Sequence, residues 1–351
     1  MRKILVVGPS WVGDMVMAQS LFMSLKPRGE QDGGLAIDVL APSWSLPIIA
    51  RMPQVRHGVA MPLGHGQLGL GARWRLGREL AREGYDQAIV LPGSFKSALV
   101  PFFAGIPQRT GFRGEVRYGL LNDMRPLDRA LLPMTVQRFV ALGQPRAAAP
   151  ATPAFPVPRL AADAANQAAL AARFGFELVR PVIAFMPGAE YGPAKQWPPA
   201  HYAELARALA ARGLQIWVLG SGKDREAARP IAAATPEAID FTGRTSLGDA
   251  IDLLALARAA VTNDSGLMHV AAALDVPLVA IFGSSSPEHT PPLGNRVAIE
   301  SLRLACAPCF ARHCPDGHTR CLTAIEPTRV LAALEPFIEG EKPPSRSASE
   351  E

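Results

Sequence analysis

The amino-acid sequence predicts an α/β protein with two doubly wound parallel sheets. Short apolar runs alternate with helical patterns from the first residues onward. A proline-rich stretch interrupts this alternation near the middle of the chain, and the alternation then restarts. The 351 residues are long enough for two such domains, each with its own core.

The elements of the first half follow one another in a regular order. The sequence predicts a strand at 3–7, a helix at 14–25, a strand at 35–40, a helix at 73–82 and a strand at 87–91. In open parallel sheets, ligands bind beyond the carboxyl ends of the strands. The loops that follow these strands are therefore where we look for chemistry.

The stretch 143–158 is the linker, because its prolines exclude a helix and suit an extended chain. Beyond it the sequence predicts strands at 182–185, 214–219, 260–262 and 277–281, with helices at 199–212, 223–233, 247–257, 267–273 and 327–338. We expect two domains, 1–155 and 156–338, and a disordered polar tail at 339–351. A linker of this kind also predicts closure of the domains over substrates.

The composition is that of an ordinary folded protein, with 48% hydrophobic and 19% charged residues. No apolar run approaches the ~20 residues that a membrane-spanning helix needs. The first apolar run, at 4–7, ends at Gly8 and is too short for a signal peptide. We therefore expect a cytoplasmic protein with reduced cysteines.

Charge is distributed unevenly along the chain. Residues 1–150 carry 18 Lys and Arg against 10 Asp and Glu, a net +8, and the remainder carries 18 against 21, a net −3, so that the two sum to +5. A basic first half predicts a polyanionic partner: nucleic acid, an anionic membrane surface or a phosphorylated glycolipid. A scattered basic surface without a partner explains the charge equally well.

The first motif, GPSWVGD at 8–14, follows the first strand directly. It has neither the Lys-Ser/Thr of a P-loop nor the spacing of a dinucleotide fingerprint. It does bring one carboxylate, Asp14, to the start of a helix at a strand's carboxyl end, where a general base would stand. From spacing alone, a role in complementing the helix dipole is the simpler interpretation.

The second motif, MPGAEYGPAKQWP at 186–198, follows the first strand of the second half. A Gly/Pro loop exposes backbone N–H groups, and Lys195 adds a positive charge, so that the pattern suits a phosphate. The alternative is an ordinary loop with a surface lysine.

The third motif, TNDSGLMH at 262–269, carries Asp264, Ser265, Gly266, Leu267 and His269. The free N–H groups of a helix that starts here would bind an anion. Asp264 or Ser265 would equally serve as a plain helix cap, and a lone helical histidine is more often packed than a ligand. A fourth motif, FGSSSP at 282–287, has small residues that allow a close approach.

Four cysteines, Cys306, Cys309, Cys314 and Cys321, form a C-x2-C-x4-C-x6-C pattern. Thiolates in such a cluster can bind zinc, with His313 and His318 as alternative ligands. However, the usual zinc site has two C-x-x-C pairs that are further apart. A reduced loop without metal is therefore the favoured interpretation.

Taken together and in this order, the motifs resemble glycosyltransferase family 9, the ADP-heptose:lipopolysaccharide heptosyltransferases. The resemblance spans roughly residues 1 to 338, and its most specific block is NDSGLMH at 263–269. Within the family, GAEYGPAK at 188–195 and CFARHCPDGH at 309–318 are similar to the members that add the second heptose.

The resemblance implies two Rossmann-like domains facing across a cleft, the GT-B glycosyltransferase fold. It implies that the N-terminal domain receives a lipopolysaccharide inner-core acceptor through Trp11, Gly13 and Asp14, at the inner face of the inner membrane. It also implies an ADP-heptose donor and inversion at the anomeric carbon without an obligatory metal cofactor.

The resemblance further suggests a role for each donor-side residue. Asp14 would be the base, and Lys195 with the N–H groups at 265–267 would stabilise the leaving diphosphate. Asp264 would bind sugar hydroxyls, His269 would contact the phosphate or hold the loop, and Glu226 or Asp224 would bind the ribose.

The sequence leaves four alternatives to weigh, of which only the first is a transferase of the same family. A transferase acting on the unheptosylated acceptor and a sugar-nucleotide epimerase would share the fold, and a non-catalytic binding protein would hold the nucleotide without turnover. A zinc-dependent nucleic-acid module lacks support, because aromatic and basic residues are not clustered, and we expect no nucleic-acid partner.

Overall fold

The computed structural model describes residues 1–31, 34–64, 66–146 and 152–340. The chain forms two compact units. One contains Met1–Asp163 and Pro287–Gly294, and the other contains Ala164–Ser286 and the chain from Asn295 onward. The division after Asp163 lies further along the chain than the boundary at 155/156 that the sequence predicts. Part of the predicted linker and residues 341–351 of the tail predicted at 339–351 lie outside the described residues. Glu339, the first residue of that predicted tail, is helical.

The first unit is built on a six-stranded sheet in which every neighbouring pair is parallel, in the order β3-β2-β1-β4-β5-β6. Its strands are β1 (Arg2–Val7), β2 (Leu35–Pro42), β3 (His57–Met61), β4 (Gln87–Val90), β5 (Gln108–Phe112) and β6 (Asp123–Arg125). Its helices are α1 (Val12–Gln31), α2 (Leu46–Ile49), α3 (Leu70–Leu80), α4 (Leu99–Phe103) and α5 (Thr135–Leu142).

The second unit repeats this topology. Its six parallel strands lie in the order β12-β11-β10-β7-β8-β9, which is the same order when counted from its own first strand. The strands are β7 (Val182–Met186), β8 (Gln215–Val218), β9 (Ala238–Asp240), β10 (Ala259–Asn263), β11 (Leu278–Ile281) and β12 (Val297–Glu300). The helices are α6 (Ala164–Phe174), α7 (Pro199–Ala210), α8 (Arg225–Ala232), α9 (Leu247–Leu256), α10 (Gly266–Ala273), α11 (Arg320–Thr323) and α12 (Pro327–Glu339).

The central strands are buried on both faces, as the helices that cover a parallel sheet require. Strands β4, β7, β10 and β11 are buried at every position. In the second unit, Trp197 packs edge-on against Tyr202, and the Trp197 indole N–H donates to the carbonyl of Ile325 at 2.8 Å. The continuous apolar runs of the sequence therefore mark the middle of each sheet.

Each sheet reverses its winding direction once. The chain moves outward from β1 to β3 and returns to β4 on the other side of β1, and in the second unit the same reversal lies between β7 and β10. Ligands of doubly wound sheets bind outside the carboxyl ends of the strands at this switch point. The fold thus selects the loops after β1 and β4 and the loops after β7 and β10.

The predicted α/β class with two parallel sheets is confirmed. Strands and helices that were not predicted from the sequence are the outer strands β3, β5, β6, β9 and β12 and the helices α2, α4, α5, α6 and α11. Among the described residues, no helix is both long and apolar enough to cross a membrane.

Candidate functional site

Three loops meet at the carboxyl edge of the second sheet. They follow the neighbouring strands β7, β10 and β11, and they carry the second, third and fourth motifs of the sequence. Lys195 ends a short 3₁₀ turn, Pro193–Lys195, in the first of these loops. The topology therefore brings together motifs that are far apart in the chain.

The centre of this edge is an ion pair. The Lys195 Nζ lies 2.5 Å from Oδ2 of Asp264, and the two side chains are only 17% and 6% exposed. The Ser285 hydroxyl donates to the same carboxylate oxygen at 2.5 Å. Lys195 also lies over the ring of Tyr191, 5.1 Å from its centroid. Lys195 and Asp264 were predicted from the sequence as separate site residues, and the structure pairs them.

Asn263 holds the Lys195 loop against β10. Its Oδ1 accepts hydrogen bonds from the Trp197 backbone N–H at 3.0 Å and from the Tyr202 hydroxyl at 3.2 Å. Its Nδ2 donates to the Pro187 carbonyl at 2.6 Å. This role of Asn263 was not predicted from the sequence, although the position of an amide at the end of an apolar strand is a signal that could have indicated it. A buried amide of this kind fixes the position of the loop that carries the lysine.

Helix α10 begins at the same edge. Ser265 occupies the cap position but makes no side-chain hydrogen bond to the helix backbone. Its hydroxyl instead lies 3.3 Å from the hydroxyl of Thr262. Residues 265–267 are partly exposed, so that the first N–H groups of the helix remain reachable for an anion.

His269 lies in this helix and is buried, at 5% exposure. Burial lowers the pKa of His269 to about 4, while the negative charge of Asp264 raises it and the positive charge of Lys195 lowers it. At neutral pH the imidazole therefore carries no charge. Among the described residues, its buried Nδ1 has no hydrogen-bond partner.

The loop after β8 and the helix α8 that follows it contribute one carboxylate each. The Asp224 carboxylate accepts hydrogen bonds from the backbone N–H and the hydroxyl of Ser221, at 2.7 and 2.9 Å. It also lies so close to Gly188 that a Cβ there would stand 2.5 Å from its Cγ. Glu226 is exposed in the first turn of α8. Asp224 thus contacts the loop after β7 directly.

In the first unit, the residues predicted for the acceptor lie at the switch point after β1. Trp11 is 47% exposed, Gly13 is buried, and Asp14 is half-buried in the first turn of α1. The turn is tight at Gly8, where a Cβ would stand 2.6 Å from the Cε of Met15. The short turn therefore fixes the direction in which α1, and with it Asp14, leaves the sheet.

Cationic residues that the sequence analysis missed follow the neighbouring strands of the first sheet. Lys96 is half-buried after β4, and Arg113 is exposed after β5. Arg117 is buried, and its guanidinium donates to the Pro92 carbonyl at 2.7 Å and to the Phe112 carbonyl. The strand before Lys96 was predicted. Because ligands bind beyond the carboxyl ends of parallel strands, that prediction could have pointed to this lysine.

The four cysteines lie on one segment of the second unit, from the end of β12 to the start of α11. All four are free thiols. Cys321 is buried in α11, Cys314 is half-buried, and the other two are exposed.

The geometry of the second unit suits a ligand that carries a phosphate. A lysine, a helix N-terminus with reachable N–H groups, and glycine-containing loops surround one edge of the sheet. Asp264 beside Lys195 offers an acceptor for hydroxyl groups. Carboxylates near the loop after β8 offer further acceptors, so that the arrangement suits a sugar nucleotide.

Comparisons with known proteins agree with this geometry. Residues 73–319 match the family described as "Glycosyltransferase family 9 (heptosyltransferase)". The chain is 47% identical over 348 residues to "Lipopolysaccharide heptosyltransferase 2" of Salmonella typhimurium, a match that covers 97% of this chain and 99% of the relative. It is 48% identical over 311 residues to "Lipooligosaccharide heptosyltransferase 2" of Haemophilus influenzae, covering 86% and 88%.

A solved structure is similar over nearly the whole chain. It is described as "Structure of E. coli ADP-heptose lps heptosyltransferase II", with 45% sequence identity and a TM-score of 0.85. The match covers 96% of this chain and 98% of that chain.

Proposed function

Since the chain belongs to glycosyltransferase family 9, we propose that it moves L-glycero-D-manno-heptose from ADP-heptose to the first heptose of the lipopolysaccharide inner core. The observation that carries this proposal is the near full-length similarity to proteins named heptosyltransferase 2. Transfer to the unheptosylated acceptor and epimerase activity, the alternatives from the sequence, fit these relatives less well.

The second unit is the donor domain in this proposal. Lys195 and the N–H groups of Ser265, Gly266 and Leu267 bind the diphosphate and stabilise the charge that develops as ADP leaves. Lys195 exchanges its contact with Asp264 for the diphosphate, and Asp264 then accepts hydrogen bonds from heptose hydroxyls. His269, neutral at pH 7, packs beneath this site and positions the loop.

The ribose hydroxyls are bound by a carboxylate of the loop after β8. Asp224 is favoured by its contact with Gly188, and Glu226 by its exposure. The affinities of Asp224→Asn and Glu226→Gln for ADP and for adenosine decide between the two carboxylates. The carboxylate that binds the ribose is the one whose substitution weakens the binding of both ligands.

The first unit is the acceptor domain, and Asp14 is the general base. Its carboxylate removes the proton from the attacking hydroxyl of the acceptor heptose, with Trp11 and Gly13 shaping the acceptor site. The bond from that oxygen to the anomeric carbon forms as the bond to ADP breaks, which inverts the anomeric configuration. The cations of Lys96 and Arg113 suit the phosphates and acidic sugars of the acceptor.

No metal cofactor takes part in this mechanism, because Lys195 and the helix N–H groups supply the positive charge that the leaving group needs. A transfer rate that does not increase on addition of Mg²⁺ is the expected result. A large increase would contradict this part of the proposal.

Peripheral contact with the inner face of the inner membrane is part of the proposal. The first unit carries most of the exposed large apolar side chains, and on α3 the exposed residues Leu70, Trp74 and Arg78 share one helix face. Four free cysteines are typical of a reducing compartment. Co-sedimentation with anionic but not with zwitterionic vesicles is expected, and equal binding to both would count against it.

The decisive experiment is a transfer assay followed by mass spectrometry. The protein is incubated with ADP-heptose and with Kdo₂-lipid A that either carries or lacks the first heptose. We expect one added heptose on the heptosylated acceptor alone. Addition to the unheptosylated acceptor would overturn the assignment of the acceptor. An isomerised donor without any transfer would indicate an epimerase.

A further inference from the structure

The cysteine segment has no part in the proposed transfer reaction, yet all its thiols converge. Cys306, Cys309, Cys314 and Cys321 line one cavity of about 150 Å³ together with Asp316 and His318. The Sγ of Cys306, a carboxylate oxygen of Asp316 and a ring nitrogen of His318 lie within 4.8 Å of one another. Side chains that are spread over 16 positions of the chain, from 306 to 321, thus face a single space.

The wall of the cavity combines four thiols with a carboxylate and an imidazole, which are side chains that bind thiophilic metal ions. Thiolates that face one space repel one another unless a cation lies between them.

The backbone of the segment is held in an unfavourable conformation. Arg303, Phe310 and Thr319 have positive φ angles of 46°, 53° and 47°, in the left-handed region that residues with a side chain rarely adopt. Such conformations persist where the surrounding contacts enforce them. Ligand bonds from four positions of the segment would enforce them here.

We propose that this cavity binds one thiophilic metal ion, Zn²⁺ or Fe²⁺, through the thiolates of Cys306, Cys309, Cys314 and Cys321. A set of four sulfur ligands in tetrahedral geometry is the arrangement that both ions accept in proteins. Thiols that bind the ion release their protons to solvent, and no oxidation state changes. The Nδ1 of His318 already accepts a hydrogen bond from the Arg320 backbone N–H at 3.1 Å. Its other ring nitrogen, Nε2, lies 3.5 Å from a carboxylate oxygen of Asp316. Since both ring nitrogens of His318 have partners, we assign His318 and Asp316 to the surroundings of the ion rather than to its ligands.

The ion has a consequence for the donor site, and this part rests on the proposed function. Residues between Cys309 and Cys314 contact the loop of Lys195. The Tyr191 hydroxyl donates to the Phe310 carbonyl at 2.7 Å, and the Ala194 N–H donates to the Arg312 carbonyl at 3.1 Å. The Phe310 N–H donates to the Ser284 carbonyl at 2.7 Å, next to the serine that binds Asp264. The metal would thus hold the segment that supports both partners of the central ion pair.

The test begins with metal analysis of the full chain, purified without a metal-affinity tag. We expect about one equivalent of zinc or iron per chain by mass spectrometry of the elements. Oxidation by added ferricyanide turns a ferrous thiolate site into a ferric one, which absorbs visible light. A zinc site stays colourless, so that the spectrum after oxidation distinguishes the two ions. A chain with less than about a tenth of an equivalent after growth in medium that contains both metals would overturn the proposal.

Substitutions identify the ligands. Cys309→Ser and Cys314→Ser should lose the ion, whereas the matched control His313→Ala, at an exposed histidine of the same segment, should keep it. His318→Ala should also keep it, and loss there would refute the ligand set of four cysteines. If a cysteine variant fails to fold, thiol titration of the unmodified protein gives the same information. Fewer than four reactive thiols are expected before chelation and four after it, and four reactive thiols before chelation would contradict the site.

Removal of the ion should also weaken ADP binding by several-fold, through the Lys195 loop. Unchanged ADP affinity in metal-free, folded protein would refute this supporting role. The metal content does not depend on substrate. A metal-bound chain that transfers no heptose would therefore refute the proposed function and leave the site standing, and a metal-free chain that transfers heptose would do the reverse.

Discussion

The ion pair between Lys195 and Asp264 allows the sharpest prediction about the donor site. Lys195→Ala removes a cation whose side chain is only 17% exposed and which we propose to bind the diphosphate of ADP. A hydrogen bond to a charged group contributes about 1.5–3 kcal/mol. Since 1.4 kcal/mol corresponds to a tenfold change in affinity, we expect the Kd of ADP to rise by about 10- to 100-fold. The transfer rate should fall as well, because the leaving group loses the same cation.

The same substitution leaves Asp264 without its lysine. Its side chain is 6% exposed and would lie beside the diphosphate as an unpaired negative charge. The double variant Lys195→Ala/Asp264→Asn should therefore recover several-fold of the lost ADP affinity. If it does not, the loss comes from the lysine–phosphate contact alone.

Calorimetric titration with ADP measures these affinities. Arg212→Ala is the matched control, because it also removes one positive charge. Arg212 lies at the amino edge of the same sheet, where it pairs with Glu335 at 3.0 Å. The control should change the Kd by less than about twofold. A Kd for Lys195→Ala within that same range would refute the assignment of Lys195 to the diphosphate.

Three further predictions concern single residues. Asp14→Asn should slow heptose transfer by about 10²–10⁴-fold with nearly unchanged ADP affinity, and near-normal turnover would return Asp14 to complementing the dipole of α1. His269 has a folded pKa of about 4, below the ordinary value of 6.5, so its contribution to stability is complete above 6.5 and is lost as the pH falls towards 4. His269→Gln should remove about 1.5 kcal/mol of the stability difference between pH 6.5 and pH 5, as measured by urea unfolding, and an unchanged slope would show that His269 is not buried neutral. Tyr85→Phe removes the 2.7 Å hydrogen bond to the buried Asp38 and should cost about 1.5–3 kcal/mol at pH 7. Burial raises the pKa of Asp38, but hydrogen bonds from Arg56 and Tyr85 outweigh it and hold that pKa below its ordinary value, so the cost should shrink as the pH falls through the folded pKa; a constant cost would contradict the role of the carboxylate.

The sequence predicted the centre of each sheet better than its edges. Strands β4, β7, β10 and β11 are buried on both sides and therefore appear as continuous apolar runs. The edge strands β9 and β12 are half-exposed and have three and four residues. Their mixed composition does not differ from that of a loop, so periodicity alone does not reveal them.

The candidate site was predicted as separate residues rather than as an arrangement. Lys195 and Asp264 are 69 positions apart in the chain, and only the neighbouring places of β7 and β10 in the sheet bring them together. Asn263 was missed because the sequence does not show which N–H groups and carbonyls a buried amide will meet. The convergence of the four cysteines is similar, since their spacing differs from that of the common zinc motifs.

The way in which the chain is divided between the units affects any attempt to take the protein apart. Residues Pro287–Gly294 belong to the first unit although they lie between two parts of the second. The His289 carbonyl accepts the backbone N–H of Thr135 at 3.2 Å, and Nδ1 of His289 lies 2.9 Å from the Pro133 carbonyl. A gene fragment that starts at residue 164 would therefore encode a donor domain in which the loop 287–294 has lost the residues that it packs against. A separately expressed donor domain needs that loop replaced by a short polar linker, and the fragment 1–163 needs the peptide 287–294 supplied in trans.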